Sequence, residues 1–377
     1  METSLAVVGA GPYGLAVAAH ARERGIDTTV VGRPMEFWTS HMPDEMFLRS
    51  GLDWHLDAAG EHTFEAFAEE RRIAARDIDP VPIAVFLAYT GWFQARKHVE
   101  VIEKLVTSIA RQDARFVLTL DDQNVIVADR VVITPGARFF PRLPDWASRL
   151  PHRGAHTVDL VRFDRVSGAR ALIVGGRQSA YEWAALLGEH GALRVDIVHR
   201  HPEPRFDRVS WAFTNRYVEQ TLTTPGWWRG LHPDERQAID RQFWEVGRLT
   251  LEWWLVPRLT RDSFHRWPGT QVAEAAELKD GAVDITLSNG EKLQVDQVLF
   301  ATGYQPDLSK VPYLREIAPA IEVADGYPIL DEWFQTSVPG LYVTGLASSR
   351  DFGPFFGFTK GCPAAARLTV DGLLRSG

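Results

Sequence analysis

The feature that most constrains this chain is a short apolar run, Leu5-Ala6-Val7-Val8, that breaks into Gly9-Ala10-Gly11-Pro12-Tyr13-Gly14 and continues as an Ala-rich helical stretch to about Arg24. A buried strand, a G-x-G-x-x-G turn and a helix in that order make a dinucleotide-binding fingerprint. The first glycine permits the tight turn, the second lets backbone approach a pyrophosphate, and the third lets helix and strand pack closely. The helix N-terminus then faces the anion. After Gly25, Thr28-Thr29-Val30-Val31 reads as the second strand, so the βαβ unit is complete. One such match is also what a purely structural strand-to-helix turn looks like, so its neighbours matter.

A second match follows at Ala171-Leu172-Ile173-Val174 and Gly175-Gly176-Arg177-Gln178-Ser179-Ala180, with a helix through Leu187 and a strand at Val195-Asp196-Ile197-Val198. Arg177 stands where the second glycine belongs, so the backbone there must be open to a residue with a side chain. Each fingerprint is followed by β-rich sequence and a strand ending in a Thr-Gly turn: Val131-Val132-Ile133-Thr134-Pro135-Gly136 in the first case, Val298-Leu299-Phe300-Ala301-Thr302-Gly303-Tyr304 in the second. Asn289-Gly290 is a hairpin signal within the second excursion. The same order occurring twice implies an internal duplication.

At 377 residues the chain has room for two domains. A net charge of -8 without long single-sign blocks argues against a nucleic-acid partner. The single cysteine, Cys362, excludes an intramolecular disulfide, a Cys-x-x-Cys redox pair and a cysteine-rich metal site, and no metal is expected. No run reaches the length needed to span a bilayer, and Gly9, Gly11, Pro12 and Gly14 interrupt what resembles a signal-peptide core, so a cytoplasmic protein with no membrane partner is expected. Tryptophan is abundant, and seven of the 13 lie between Pro204 and Pro268.

These motifs together resemble the flavin-containing monooxygenase and ornithine/lysine N-hydroxylase superfamily over nearly the whole length. The C-terminal Thr336-Ser337-Val338-Pro339-Gly340-Leu341-Tyr342-Val343-Thr344-Gly345 adds to the likeness. The resemblance implies an α/β fold of two Rossmann-like dinucleotide-binding domains, for FAD and NADPH, the second inserted in the first. Residues 1–155 and 298–377 would form the FAD domain and 156–297 the NAD(P)H domain, with a Trp-rich helical insertion over 205–268.

For FAD the resemblance implies Gly9, Gly11, Pro12, Tyr13 and Gly14; Gly32 and Arg33 after the second strand; Trp38, Arg49 and Ser50 in the loop along the flavin; Gln94; Pro135 and Gly136; Gly345; and Pro363, at the start of a helix whose amides would suit the flavin edge. For NADPH it implies Gly175, Gly176, Arg177, Gln178, Ser179, Thr302, Gly303 and Tyr304. His199-Arg200-His201 ends the second unit's second strand with no carboxylate, and Arg200 suits a 2′-phosphate, which favours NADPH over NADH. Trp211, Arg350, Asp351, Phe355 and Phe356 are the substrate-pocket candidates, and no catalytic residue is assigned. The Trp-rich insertion, opened by a helix from Pro233 to about Trp254, is read as a cover over the flavin, a packed subdomain or a homodimer face.

Three departures from the family pattern stand out. Gly32 replaces the usual acidic ribose ligand, with Glu36 as a substitute. Gly345 is followed by Leu346, where the pattern has Asp. The monooxygenase signature survives only as His156-Thr157. The implied activity is an FAD-dependent, NADPH-consuming monooxygenase that oxygenates a small organic substrate, such as an amine or nitrogen heterocycle, through a flavin C4a-peroxide, with molecular oxygen as co-substrate. The alternatives are an FAD-dependent NAD(P)H reductase serving a quinone or protein acceptor, and a non-catalytic flavin-binding protein. The lone cysteine speaks against a disulfide-reducing enzyme.

Overall fold

The computed structural model describes residues 1–164 and 166–375. Its first sheet has seven strands. Glu2–Val8 sits centrally, between Thr28–Val31 and the long strand Val125–Ile133, parallel to both, with Val101–Ile102 at one edge. The first half of Val125–Ile133 carries the antiparallel strands Arg115–Leu120 and Val106–Gln112, and its second half pairs in parallel with Leu341–Val343. Leu5, Val7, Val131 and Val132 are wholly buried, as expected of a sheet covered on both faces. Helix Pro12–Glu23 packs against the C-terminal helix Cys362–Arg375, so the two ends of the chain close on the same layer.

The second sheet has five parallel strands, in the order Phe264–Pro268, Arg194–His199, Arg170–Val174, Gln297–Phe300 and Gly154–His156. Helix Gln178–Glu189 lies on it with ten of its residues buried. A separate three-stranded antiparallel sheet, Val272–Glu277, Val283–Leu287 and Lys292–Val295, forms the second β-excursion. Gly290 turns its last hairpin with φ +90°. The duplication is therefore real but unequal: the first excursion extends the main sheet, whereas the second stands apart from it.

Three expected boundaries need correction. The strand containing Val298–Phe300, assigned to the chain's return to the first domain, is hydrogen-bonded inside the second sheet, and so is Gly154–His156, which straddles the expected break at 155. The crossover back to the first sheet thus comes after Phe300. The insertion does not run as helix through 205–268. The helix beginning at Pro233, capped by His232 and Glu235, ends at Gln242 and passes into a π-helical turn, Phe243–Arg248. Strand Thr250–Glu252 then pairs with Arg205–Asp207, and Phe264–Pro268 joins the second sheet.

Helices Asn215–Thr223 and Trp227–Gly230 dock on the C-terminal region, and Pro233–Gln242 packs on the π-helical turn that follows it. Trp228 Nε1 donates to the Arg350 carbonyl at 3.0 Å, and Arg229 bonds the Leu330 carbonyl.

Candidate functional site: a cleft joining two nucleotide turns

Both fingerprints open into one continuous cleft of about 1670 Å³. In the first, Gly9 has φ +107°, and a Cβ there would lie 2.4 Å from Thr134 Oγ1. That hydroxyl donates to the carbonyls of Val8 and Gly9, both at 3.2 Å, so the Thr-Pro-Gly strand end clasps the turn. A Cβ on Gly14 would sit 1.8 Å from the Gly9 carbonyl oxygen, so helix and strand touch backbone to backbone. At Gly11, by contrast, a Cβ would meet no protein atom within 4 Å, and no side chain caps the helix that starts there. Open space beside uncapped helix amides is what a pyrophosphate needs, and the turn fits FAD on that ground.

The second turn is built by the same backbone. Gly175 has φ +139°, and a Cβ there would lie 2.4 Å from the Ala301 carbonyl oxygen. Arg177, the N-cap of the next helix, is extended (φ -109°, ψ -174°), close to Gly11 (φ -82°, ψ -173°), so a side chain there is unstrained. The Arg177 guanidinium stacks on Trp244, 3.7 Å from the ring centroid.

Charge separates the cleft from the rest of this acidic protein. It is lined by seven arginines, at 33, 49, 138, 142, 177, 200 and 248, against three carboxylates, Glu36, Asp121 and Asp145. Glu36 is held by Arg33 at 2.9 Å and Arg138 at 3.1 Å, beside Gly32 where the ribose ligand would stand. Burial, with Arg248, Arg142 and Arg200 nearby, brings Arg177 down to about 10. Such mutual repulsion is relieved by phosphates, so the donor set fits two dinucleotides.

Gly9, Gly11, Pro12, Tyr13, Gly32, Arg33, Trp38, Arg49, Ser50, Pro135, Gly136 and Gly345 line the cleft, as do all nine residues assigned to NADPH, and Trp211. The Tyr13 hydroxyl donates to the carbonyls of Phe356 (2.5 Å) and Phe358 (2.7 Å), and its ring lies against Gly345. Gln178 reaches the cleft, but its side-chain amide is committed, donating to Glu182 at 2.9 Å and accepting from the Glu252 amide at 3.0 Å. Arg49 is likewise occupied by Glu252 (2.9 Å) and the carbonyls of Gly247 (2.6 Å) and Thr250 (2.8 Å).

The other assigned residues lie off the cleft lining. Gln94 bonds the Val99 carbonyl at 3.0 Å, closing the end of its own helix. Gly14 is a packing glycine behind the turn, and Pro363 is not among the residues that line the cleft, which this segment supplies through Pro354, Gly357, Phe358 and Thr359. Arg350 pairs with Asp351 (3.0 Å), whose other oxygen accepts from the Leu330 amide (2.8 Å), so both hold the C-terminal region together. Phe355 stacks on Tyr217, and Phe356 packs beside Phe334 and Phe352, both inside the core. The turn Pro354–Gly357 points them inward and leaves Phe358 on the cleft.

His156 also proves structural. Its Nδ1 accepts from the Val158 amide (3.1 Å), which leaves Nε2 to donate to the Gly303 carbonyl (3.1 Å). Burial lowers its pKa, and the neutral ring steadies the Thr302-Gly303-Tyr304 turn. Cys362 is wholly buried and burial pushes its thiol up. Of the seven clustered tryptophans only Trp211 and Trp244 line the cleft; Trp254 packs on Phe47, and Trp267 donates to Asp196 at 2.8 Å.

Residues not foreseen complete the wall: Trp54, Arg142, Trp244 and Arg248. Trp54, Trp211 and Phe358 form one aromatic cluster, with centroids 5.8–6.2 Å apart. The Trp211 indole N–H has no partner among the described residues. The π-helical turn offers Trp244 and Arg248 to the cleft, and Gly247 between them is obligatory, since a Cβ there would strike the Trp211 ring at 2.4 Å. Their four-residue spacing was the one available sequence signal.

A family model described as pyridine nucleotide-disulphide oxidoreductase matches residues 6–222, over half of the chain, and a second of that description matches residues 259–350. The chain belongs to this family. Within the pyridine nucleotide-disulphide oxidoreductases it is 30% identical over 213 residues to a ferredoxin–NADP reductase of Saccharopolyspora erythraea, a match spanning about half of each protein (53% of this chain, 54% of the relative). It is 24% identical over 374 residues to indole-3-pyruvate monooxygenase YUCCA1 of Oryza sativa subsp. japonica, covering 90% of this chain and 86% of that one. Ornithine N-hydroxylase of Kutzneria sp. 744 superimposes with a TM-score of 0.80 at 17% identity, covering 100% of this chain and 99% of that one, which establishes the shared fold. Among the described residues, no helix is long and apolar enough to cross a membrane.

Proposed function

We propose that the protein is an FAD-dependent, NADPH-consuming monooxygenase acting on a small organic molecule. The observation that carries this is the cleft: both nucleotide turns open into it, and an aromatic wall lines the same space. The full-length likeness to the YUCCA1 monooxygenase and the Kutzneria hydroxylase supports the same reading. The first sheet with its returning strand Leu341–Val343 would hold FAD, and the second sheet NADPH.

When bound, the flavin would accept hydride from the nicotinamide and activate oxygen for transfer to the substrate. The chain's own part is positional. Gly11 and the amides opening helix Pro12–Glu23 would seat one pyrophosphate, while Gly175, Arg177 and the helix Gln178–Glu189 would seat the other. Arg200, for which no ion pair occurs among the described residues, would grip the 2′-phosphate. Trp54, Trp211 and Phe358 would keep water from the reacting face.

The second reading, a reductase passing electrons to a separate acceptor, is favoured by the ferredoxin–NADP reductase match. Flavin reduction by NADPH without air, followed by labelled dioxygen and a panel of nitrogenous substrates, separates the two. Label in an organic product is the expected outcome. Stoichiometric hydrogen peroxide with every substrate, alongside rapid reduction of an added acceptor protein, would establish the reductase. Absence of any reduction would overturn both.

A further inference from the structure

At the aromatic cluster of the wall stands a cation, Arg248, that is held by ring faces. The Arg248 guanidinium lies 5.5 Å from the Phe243 ring centroid and 5.3 Å from that of Phe358, and it lines the cleft. No carboxylate pairs with it among the described residues. Its neighbour Arg49 is saturated by Glu252 and two carbonyls. Arg33 and Arg138 share Glu36, and Arg177 lies on Trp244 beside the second fingerprint. Arg248 therefore stands at the aromatic cluster as a planar five-donor cation supported only by ring faces. Such support falls well short of a bidentate carboxylate.

No acid balances it by contact. Glu36, Asp121 and Asp145 line the cleft, but none of them pairs with Arg248 among the described residues, and Glu252, the acid on the strand just after the π-turn, is bound to Arg49. A substrate ammonium would meet Arg248 with no carboxylate to receive it, whereas an anion would be welcomed.

We propose that Arg248 is a specificity residue that receives the carboxylate of an aromatic or heteroaromatic substrate, whose ring system lies against Trp54, Trp211 and Phe358. This rests on the oxygenase reading of the cleft and deepens it: the nitrogen to be oxygenated enters neutral or within a ring, and the substrate carries a negative charge. Gly247 is part of the device, since it lets the π-turn press on Trp211 and hold Arg248 over Phe358.

Equilibrium binding to the FAD-loaded protein, without turnover, tests this. The probes are 3-phenylpropanoate, 3-phenylpropan-1-ol and 3-phenylpropylamine, followed by flavin difference absorbance, with NADP+ titrated separately. The carboxylate is expected to bind at least tenfold tighter than the alcohol, and the amine weakest. Arg248→Met should bring the carboxylate down to the alcohol's affinity while leaving the alcohol and NADP+ unchanged, and Arg248→Lys should retain part of the preference. The proposal is overturned by equal binding of carboxylate and alcohol to the unaltered protein, by equal loss of all three probes in Arg248→Met, or by a loss confined to NADP+, which would assign Arg248 to the dinucleotide. Because no turnover is involved, failure of the oxygenase reading would show instead as unlabelled product with this selectivity intact.

Discussion

At Gly11 an added Cβ would find no protein atom within 4 Å, whereas at Gly176 it would lie 2.3 Å from His199 Cγ and 2.5 Å from His201 Nε2. The first turn is bare backbone facing open space, clasped from behind by a threonine hydroxyl. In the second, Ala301 replaces that threonine, Arg177 replaces the open glycine, and two stacked histidine rings, 4.2 Å apart, fill in beneath. One strand-turn-helix unit thus serves in two ways, as a cradle of amides and as a platform for cations. The first depends on what is missing from the side chains, and the second on what they add.

The most damaging change should be Gly14→Ala, because its Cβ would lie 1.8 Å from a carbonyl oxygen that cannot move without opening the turn. Destabilisation on the order of 3 kcal/mol or more and loss of bound flavin are expected, read by thermal unfolding and FAD content. The corresponding Ala180→Gly should cost about 1 kcal/mol or less. If both behave alike, the two turns are not built differently.

Next in size is Gly11→Arg, which copies the second turn onto the first. The backbone angles allow it, so unfolding of the apoprotein should hardly shift while FAD affinity falls about a hundredfold or more. Loss of folding would show that openness at Gly11 has a structural purpose.

Arg200→Ala should raise the Kd for NADPH about tenfold or more and leave NADH nearly unchanged, by removal of a charge-assisted contact to the phosphate. Equal losses would sink the 2′-phosphate assignment.

The smallest effect concerns pH. His199 is buried, and burial first, then His201, brings its pKa to about 4 from 6.5. His156 is lowered in the same direction by burial. The unfolded chain takes up these protons near 6.5 and the folded one does not. The stability that neutral rings confer is therefore complete above that pH and is lost as pH falls toward about 4, by about 1–3 kcal/mol for His199. Denaturation midpoints measured from pH 7.5 to 4.5 should fall less steeply in His199→Gln. An unchanged slope would mean that other groups govern it.

Much of this was readable from the chain because the nucleotide turns are local. Strand, glycine spacing and helix start lie within some fifteen residues at Leu5 and at Ala171, and each places its own ligand-facing atoms. What the sequence leaves open depends on packing over long separations. Val298–Phe300 has the same apolar pattern whichever sheet receives it, and only its pairing with Arg170–Val174 decides. Phe355, Phe356 and Phe358 are indistinguishable as sequence, yet a 3₁₀ turn sends two inward and one outward. Beyond its four-residue spacing from Trp244, nothing in the sequence at Arg248 marks the π-helical turn that brings it to the cleft, and nothing local at Arg350 and Asp351 reveals that they satisfy each other.

Arg49 ties the loop beside the first turn to the strand and π-turn of the insertion through three bonds, and burial raises Glu252 and lowers Arg49. Separating those segments would strand a charge on each side, a penalty of several kcal/mol. The loop beside the first turn and the insertion therefore share one frame near the aromatic wall, and pulling them apart carries that electrostatic cost.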